Sequence, residues 1–188
     1  MKEDDILLIK ECQAGQVSAF DRLVELYRKQ IYQLAYCITG NHEDADDISQ
    51  EAFVRAYRAI GDFKGRARFS TWLRRITINL SINHLKSESL RKNTVSDGEK
   101  LNSDNLSQIP ARAGNPLENV EAEEMAQQIK VAMDSLPVVE KVVFVLRVHQ
   151  GLSYKEIAQS LGCPVGTVMS RLNRARRRLR DRLKNYVV

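Results

Sequence analysis

Apolar side chains recur at helical spacing along most of this chain. The longest stripe follows the 3.6-residue period of one helix face and consists of Phe20, Leu23, Val24, Tyr27, Ile31, Leu34, Ala35 and Ile38. Clean period-two alternation bounded by hairpin turns does not occur. The pattern therefore predicts an all-α fold.

Capping residues and glycines set the predicted helix ends. Ser18, with Asp21 three residues later, is typical of a helix start, and Gly15, Gly40 and Gly61 each follow a predicted helix end. The amino-terminal half is thus predicted to contain four helices, over residues 4–14, Ser18 to about Gly40, Glu43–Ile60 and Ser70 to about Lys86.

Residues 87–115 differ from the rest, because they are rich in Ser, Asn, Asp, Gly and Pro with only scattered apolar side chains. Such a long connection is unusual inside one compact domain. We therefore expect two small helical domains, residues 1–86 and 116–188, joined by a flexible linker over 87–115. A cap, a first-turn proline and a third-position glutamate restart a helix at Asn115-Pro116-Leu117-Glu118.

Val138–Val148 is ambiguous by propensity, since its six valines and Phe144 favour a strand. Spacing favours a helix, because Leu136, Val139, Val143 and Leu146 fall at positions i, i+3, i+7 and i+10. We predict a buried helix.

Charge is distributed in blocks of alternating sign. Residues 61–92 carry 8 Lys and Arg against 2 Asp and Glu, and residues 141–188 carry 11 against 2. Residues 1–60 (7 against 11) and 93–140 (3 against 9) are net acidic. Because phosphate binding depends on locally clustered cations, two basic blocks indicate two contacts with a polyanion.

Several classes of protein are not favoured. Cys12, Cys37 and Cys163 lack the spacing of a zinc site or a disulfide framework, so we expect them to pack in the core, and we expect no metal or cofactor. No apolar run approaches the roughly 18 residues of a membrane span. The residues after Met1 do not resemble a secretory signal, so we expect a cytoplasmic protein without membrane insertion.

The carboxyl-terminal basic block contains a helix-turn-helix pattern. Ser153 and Glu156 form a capping box, Ala158 permits a close helix crossing, and Gly162 permits the turn before a second helix from about Pro164. A recognition helix places its first turns at base edges and its later cations on phosphates. The predicted base contacts are Thr167, Met169, Ser170, Arg171, Asn173 and Arg174, and the predicted phosphate contacts are Arg177 and Arg178. The alternative is a solvated basic tail that pairs with the acidic segments.

The amino-terminal basic block mixes cations with aromatic rings, a composition that suits single-stranded DNA. The predicted contacts are Phe63, Lys64, Arg66, Arg68, Trp72, Arg75, Asn79 and Asn83, the last three sharing one face with Lys86. Leu73, Ile76, Leu80 and Ile82 would face the core. In the alternative interpretation, Trp72 and Phe69 only anchor the core.

Carboxylates cluster just before this block, in Asp44-Ala45-Asp46-Asp47-Ile48-Ser49-Gln50-Glu51. Such a cluster near DNA-binding residues could hold Mg²⁺ in a nuclease. However, no His or Lys is placed beside Asp47 and Glu51 as a base. An acidic helix face with Gln50 and nearby Phe53 and Tyr57 is better interpreted as a surface that docks on another protein.

Three motifs in this order resemble the bacterial sigma factors of RNA polymerase, specifically the small extracytoplasmic-function group. The similar segments are Asp46–Tyr57, Phe69–Asn79 and Gly151–Arg171. The resemblance implies a transcription initiation factor that is not an enzyme and that binds core RNA polymerase, promoter DNA and an anti-sigma factor.

The resemblance also implies a role for each segment. Residues 1–86 would bind core polymerase and the minus-ten element, and residues 116–188 the minus-thirty-five duplex. The core contacts would be Asp46, Asp47, Gln50 and Glu51, supported by Phe53 and Tyr57. Asn79 and the loop 63–68 would hold a flipped base of the non-template strand. The alternative function is a helix-turn-helix repressor or activator that binds duplex DNA without polymerase.

Overall fold

The computed structural model describes residues 3–94, 116–184 and 186. It contains α-helices and one 3₁₀ turn, and no strand occurs in these ranges, which confirms the all-α prediction. The helices are α1 (Glu3–Gln13), α2 (Val17–Thr39), α3 (His42–Ala59), α4 (Phe69–Thr94), α5 (Pro116–Asp134), α6 (Val138–Val148), α7 (Tyr154–Leu161) and α8 (Val165–Leu183), with the 3₁₀ turn at Ile60–Asp62. We call α1–α4 the N-terminal module and α5–α8 the C-terminal module.

Most predicted helix ends are confirmed within one or two residues. Gly40 ends α2 in the left-handed conformation, at φ 79°, and the Asn41 side chain then accepts a hydrogen bond from the Glu43 amide at 2.8 Å to begin α3. The prediction for Ser18 was wrong, because α2 begins at Val17 and its N-cap residue, Gln16, makes no side-chain capping bond.

The fourth helix is longer than predicted. It continues to Thr94, eight residues beyond Lys86 and into the segment assigned to the linker. Residues 87–94 contain neither glycine nor proline, so their polar composition does not interrupt the helix. The predicted restart at Pro116 is confirmed. The rest of the predicted linker, 95–115, lies outside the described residues.

The N-terminal module has its own hydrophobic core. Buried side chains from α1, α2, α3 and the start of α4 form this N-terminal core: Leu8, Ile9, Ala19, Phe20, Leu23, Ile31, Ala52, Phe53, Ala56, Ile60, Phe69 and Leu73. The Gln13 amide donates to the carbonyls of Ile60 and Phe63, both at 3.0 Å. Helix α1 thus holds the chain that leads into α4.

A second core joins the two modules. Leu34, Ile38 and Ile78 of the N-terminal module pack with residues of α6, α7 and α8 in one buried cluster, the interdomain core, whose C-terminal members are Val142, Val143, Val145, Leu146, Leu152, Ile157, Ala158, Val168 and Leu172. The side chain of Ile78 is completely buried there. Helix α4 therefore has two buried faces, one on each core.

The cysteines behave as packing residues. Cys12, Cys37 and Cys163 are free thiols and lie partly buried beside the cores. Burial raises the pKa of Cys12 and Cys37. Within the described residues, no helix combines the length and the apolar character that crossing a membrane requires.

Candidate nucleic-acid and polymerase interfaces

The helix-turn-helix motif forms as the spacing predicted. The Ser153 hydroxyl accepts from the Glu156 amide at 3.3 Å, and the Glu156 carboxylate accepts from the Ser153 amide at 2.9 Å, which completes the capping box of α7. Gly162 ends α7 at φ 61°. The next helix, α8, buries Val168, Leu172, Ala175 and Leu179.

Helix α8 presents a polar and cationic face on its other side. Among the predicted base contacts, Met169, Ser170, Asn173 and Arg174 are exposed, and Thr167 and Arg171 are partly buried. The predicted phosphate contacts Arg177 and Arg178 are exposed. These side chains therefore lie where a duplex could reach them.

Two of these arginines have a partner that sequence reasoning missed. Arg174 Nε lies 3.0 Å from one carboxylate oxygen of Glu140, and Arg178 Nε lies 3.1 Å from the other. Glu140 itself is buried in α6. Its only sequence signal was a carboxylate placed inside the apolar run Val138–Val148.

The second candidate surface is on α4 and the loop before it. Arg75, Asn79 and Asn83 are all exposed along one face, as the spacing predicted. In the preceding loop, the side chains of Lys64, Arg66 and Arg68 are also exposed. These polar and cationic groups are thus all accessible from solvent.

The aromatic residues of this region are more buried than the cations. Phe69 is completely buried, which agrees with the core-anchor interpretation. The rings of Phe63 and Trp72 pack against it with centroid distances of 6.0 and 5.7 Å, and they lie 4.9 Å from each other. Both keep part of their surface exposed. Only their exposed parts are available to a base.

The acidic face of α3 consists of Asp46, Asp47, Gln50 and Glu51. The first three are exposed, and the fourth is partly buried and pairs with Arg55 at 2.7 Å. The Gln50 amide donates to the Asp46 carboxylate at 2.9 Å. No group of three or more His, Cys, Asp and Glu side chains in the described ranges is arranged to hold a metal ion.

The two aromatic residues assigned to this face differ in position. Phe53 is only 9% exposed and belongs to the N-terminal core, so it supports α3 from beneath and is not part of the exposed face. Tyr57 is 47% exposed, with the edge of its ring against Phe20 at 5.0 Å. Phe53 lies one turn after Ser49, which is also buried on α3.

The junction between the modules carries opposite charges. Arg74 is buried on α4, and its Nε has no hydrogen-bond partner in the described part of the chain. Burial lowers the pKa of Arg74, and nearby Glu156 of α7 opposes this change. The pKa of Glu156 is lowered, chiefly by the hydrogen bonds from Ser153 and further by the charges of Arg74 and Arg68. The first turn of α7 thus lies near Arg74 of α4 and Arg68 of the preceding loop.

Comparison with known proteins identifies the family. The family model for Sigma-70 region 2 matches residues 23–91, and the model for Sigma-70, region 4 matches residues 126–179. The chain is 38% identical over 180 residues to the ECF RNA polymerase sigma factor SigW of Bacillus subtilis (strain 168), which covers 94% of this chain and 95% of that protein. This chain belongs to the ECF family of RNA polymerase sigma factors.

Other relatives of this sigma factor agree. It is 36% identical over 187 residues to the ECF RNA polymerase sigma-E factor of Escherichia coli (strain K12), across 97% of this chain and 96% of that protein. The presence of both family regions in the predicted order disfavours the alternative of a helix-turn-helix regulator that works without polymerase.

Solved structures show the same fold across both modules. The structure of CnrH in complex with the cytosolic domain of CnrY is 25% identical with a TM-score of 0.65, and covers 97% of this chain and 99% of that one. The sigma factor RpoE in complex with the anti-sigma factor NepR from Bartonella quintana is also 25% identical, with a TM-score of 0.63, across 88% of this chain and 96% of that one.

Proposed function

We propose that this sigma factor directs core RNA polymerase to its promoters through three separate surfaces. The acidic face of α3 docks on core polymerase, the polar face of α4 captures melted minus-ten bases, and the exposed face of α8 contacts the minus-thirty-five duplex. The observation that carries this proposal is the exposure of cationic side chains on two different modules, together with an exposed acidic face on α3. The chain has no catalytic role and acts in the cytoplasm.

The α4 surface suits bases that have left the helical stack. Asn79 offers a carboxamide that can both donate to and accept from a base edge. Lys64, Arg66 and Arg68 are exposed cations in the loop before the same helix, and they attract the displaced strand. The loop and Asn79 together form the site for the flipped base.

The α8 surface suits a duplex. Its first three turns carry exposed Met169, Ser170 and Asn173, a mixture of apolar and hydrogen-bonding groups that can contact base edges in the major groove. Cations follow in the later turns and provide affinity for phosphates that does not depend on sequence.

Promoter binding requires the two modules to separate. Elements centred 10 and 35 base pairs upstream are 25 base pairs apart, which is about 85 Å of duplex at roughly 3.4 Å per base pair. Modules that share the interdomain core cannot reach both. We propose that the structure is the resting form of the free chain, and that docking on polymerase opens it.

An anti-sigma factor is the natural partner of such a resting form. The neighbours CnrH and RpoE were each solved in complex with a partner protein, in the second case an anti-sigma factor. We propose that this chain also binds one, which would keep α4 and α7 together.

The docking assignment is tested by changing Gln50 and Glu51 together to alanine in the full-length chain. We expect much weaker binding to core polymerase in a pull-down titration, with unchanged binding of α8 to duplex DNA. The matched control changes Glu124 and Gln127 to alanine, because both are exposed and lie on α5 of the C-terminal module. Equal losses in the two double variants would contradict the assignment.

A further inference from the structure

Glu140 is an ionisable group that the surfaces described above do not use. Its side chain is only 6% exposed, on a helix whose other buried residues are apolar apart from Lys141. A buried carboxylate is unfavourable unless it is paired, so its position demands a compensating partner. Neighbouring Lys141 does not provide one, because its ammonium group pairs with Asp134 at 2.8 Å.

The partners of Glu140 come from α8. Arg174 donates from Nε to one carboxylate oxygen at 3.0 Å, while Arg178, one turn later, holds its Nε 3.1 Å from the other oxygen. The second contact is an ion pair without a well-aligned hydrogen bond, since that oxygen has no hydrogen-bond donor among the described residues. One buried negative charge thus anchors two cations on the same side of α8.

Both arginines remain available to a ligand. Their side chains are 52% and 56% exposed. A guanidinium carries five N–H donors, and contact through Nε leaves the four on the two Nη atoms for other acceptors. Fixing Nε sets the plane of the group before a ligand arrives, which reduces the conformational entropy lost on binding.

We propose that Glu140 is a positioning residue that holds Arg174 and Arg178 so that their Nη groups contact two phosphates of the upstream duplex. The inference rests on one part of the proposed function, namely that α8 binds duplex DNA. In this proposal Arg174 contacts the DNA backbone, although the sequence predicted that it contacts a base. Arg177 provides an internal comparison, because it is exposed and has no ion-pair partner within the described ranges.

The test measures binding of the full-length chain to a 30-base-pair duplex of random sequence by fluorescence anisotropy, over a series of salt concentrations. Random sequence is suitable because phosphate contacts do not depend on sequence. Glu140→Gln keeps the shape of the side chain but removes its charge. We expect it to weaken binding by roughly tenfold and to lower the salt slope by up to about 1.8, which corresponds to two phosphate contacts.

Competing explanations predict other results. If Glu140 only neutralised the two arginines, Glu140→Gln would bind DNA more tightly with a steeper salt slope. If its role were only structural, the folded variant would bind as the unchanged chain does. Either outcome would overturn the proposal. In the same assay Arg177→Ala should lower the slope by about 0.9, whether or not Glu140 is present.

A second pair of variants keeps the test valid if Glu140→Gln does not fold. Arg174→Lys with Arg178→Lys retains both charges at exposed positions but removes the guanidinium groups. We expect this lysine pair to lose about as much affinity for the duplex as Glu140→Gln does. If it bound DNA as the unchanged chain does, charge alone would matter and the proposal would be overturned.

A third experiment starts from a chain that carries both Arg174→Ala and Arg178→Ala. Adding Glu140→Gln to that chain should weaken DNA binding no further. If the chain with both alanines binds DNA as the unchanged chain does, α8 does not contact the duplex through these residues and the proposal is overturned. The proposed function is tested separately by binding to core polymerase.

Discussion

The packing of α4 against the C-terminal module makes a quantitative prediction for Ile78→Ala. Ile78 is completely buried in the interdomain core. The change removes three carbon atoms, and at about 0.8 kcal/mol per buried methylene the transfer cost is roughly 2.4 kcal/mol. The cavity left behind increases this cost, so we expect the free energy of unfolding to fall by about 3 kcal/mol.

Urea denaturation with two probes measures this effect. Trp72 is the single tryptophan, and it packs on the N-terminal core, so its fluorescence reports that module. Far-UV circular dichroism reports the helices of both modules. In the unchanged chain the shared core should make the two transitions coincide. In Ile78→Ala they should separate, because the substitution weakens the joint between the modules.

Leu73→Ala is the matched control, since Leu73 is also completely buried on α4 but belongs to the N-terminal core. It should cost a similar amount and shift the fluorescence transition at least as strongly as the dichroism transition. The reasoning would be refuted if Ile78→Ala cost less than about 0.5 kcal/mol, the range of an ordinary surface substitution, while Leu73→Ala showed its full loss.

Further predictions concern single contacts. Ser153→Ala removes the capping box of α7 and should cost about 1 kcal/mol in urea denaturation; no change would show that the cap is not formed in solution. Gly162→Ala should cost about 1–2 kcal/mol because of its left-handed backbone, whereas Gly166→Ala, in open space within α8, should not destabilise. Glu156 has a lowered pKa, so the stability that its charge contributes should be present above its ordinary pKa of 4.5 and be lost as the pH falls through the lower folded value. The stability difference between the unchanged chain and Glu156→Gln should therefore shrink below about pH 4.5, and a constant difference would contradict this. Asn79→Ala should reduce permanganate reactivity of melted promoter thymines more than it reduces core-polymerase binding, and the reverse order would make Asn79 structural.

Local patterns in the sequence predicted the helices well. Capping residues and left-handed glycines act through neighbouring backbone groups, so Ser153 and Gly40 mark their helix ends whatever the tertiary fold. The valine-rich α6 is helical because burial on a helical period outweighs the weak strand propensity of valine. The exposed positions of Arg75 and Asn79 followed from the same periodicity.

Contacts between distant segments could not be predicted in this way. Periodicity indicated one buried face on α4, with Ile76 and Leu80, but Ile78 is buried in a cluster that α2 and the C-terminal module form together. The pairing of Glu140 with Arg174 spans 34 residues of sequence and depends on how α6 crosses α8. The sequence around Phe53 does not indicate which helix its ring will contact.

The central claim is that the chain acts by directing core RNA polymerase to promoters. Run-off transcription on genomic fragments, with core polymerase alone and with the added chain, tests it most directly when the transcript starts are sequenced. We expect starts at defined positions that share sequence elements near minus ten and minus thirty-five, and these starts should be lost in the double variant of Gln50 and Glu51. Starts no more promoter-dependent than those of core polymerase alone would contradict the claim.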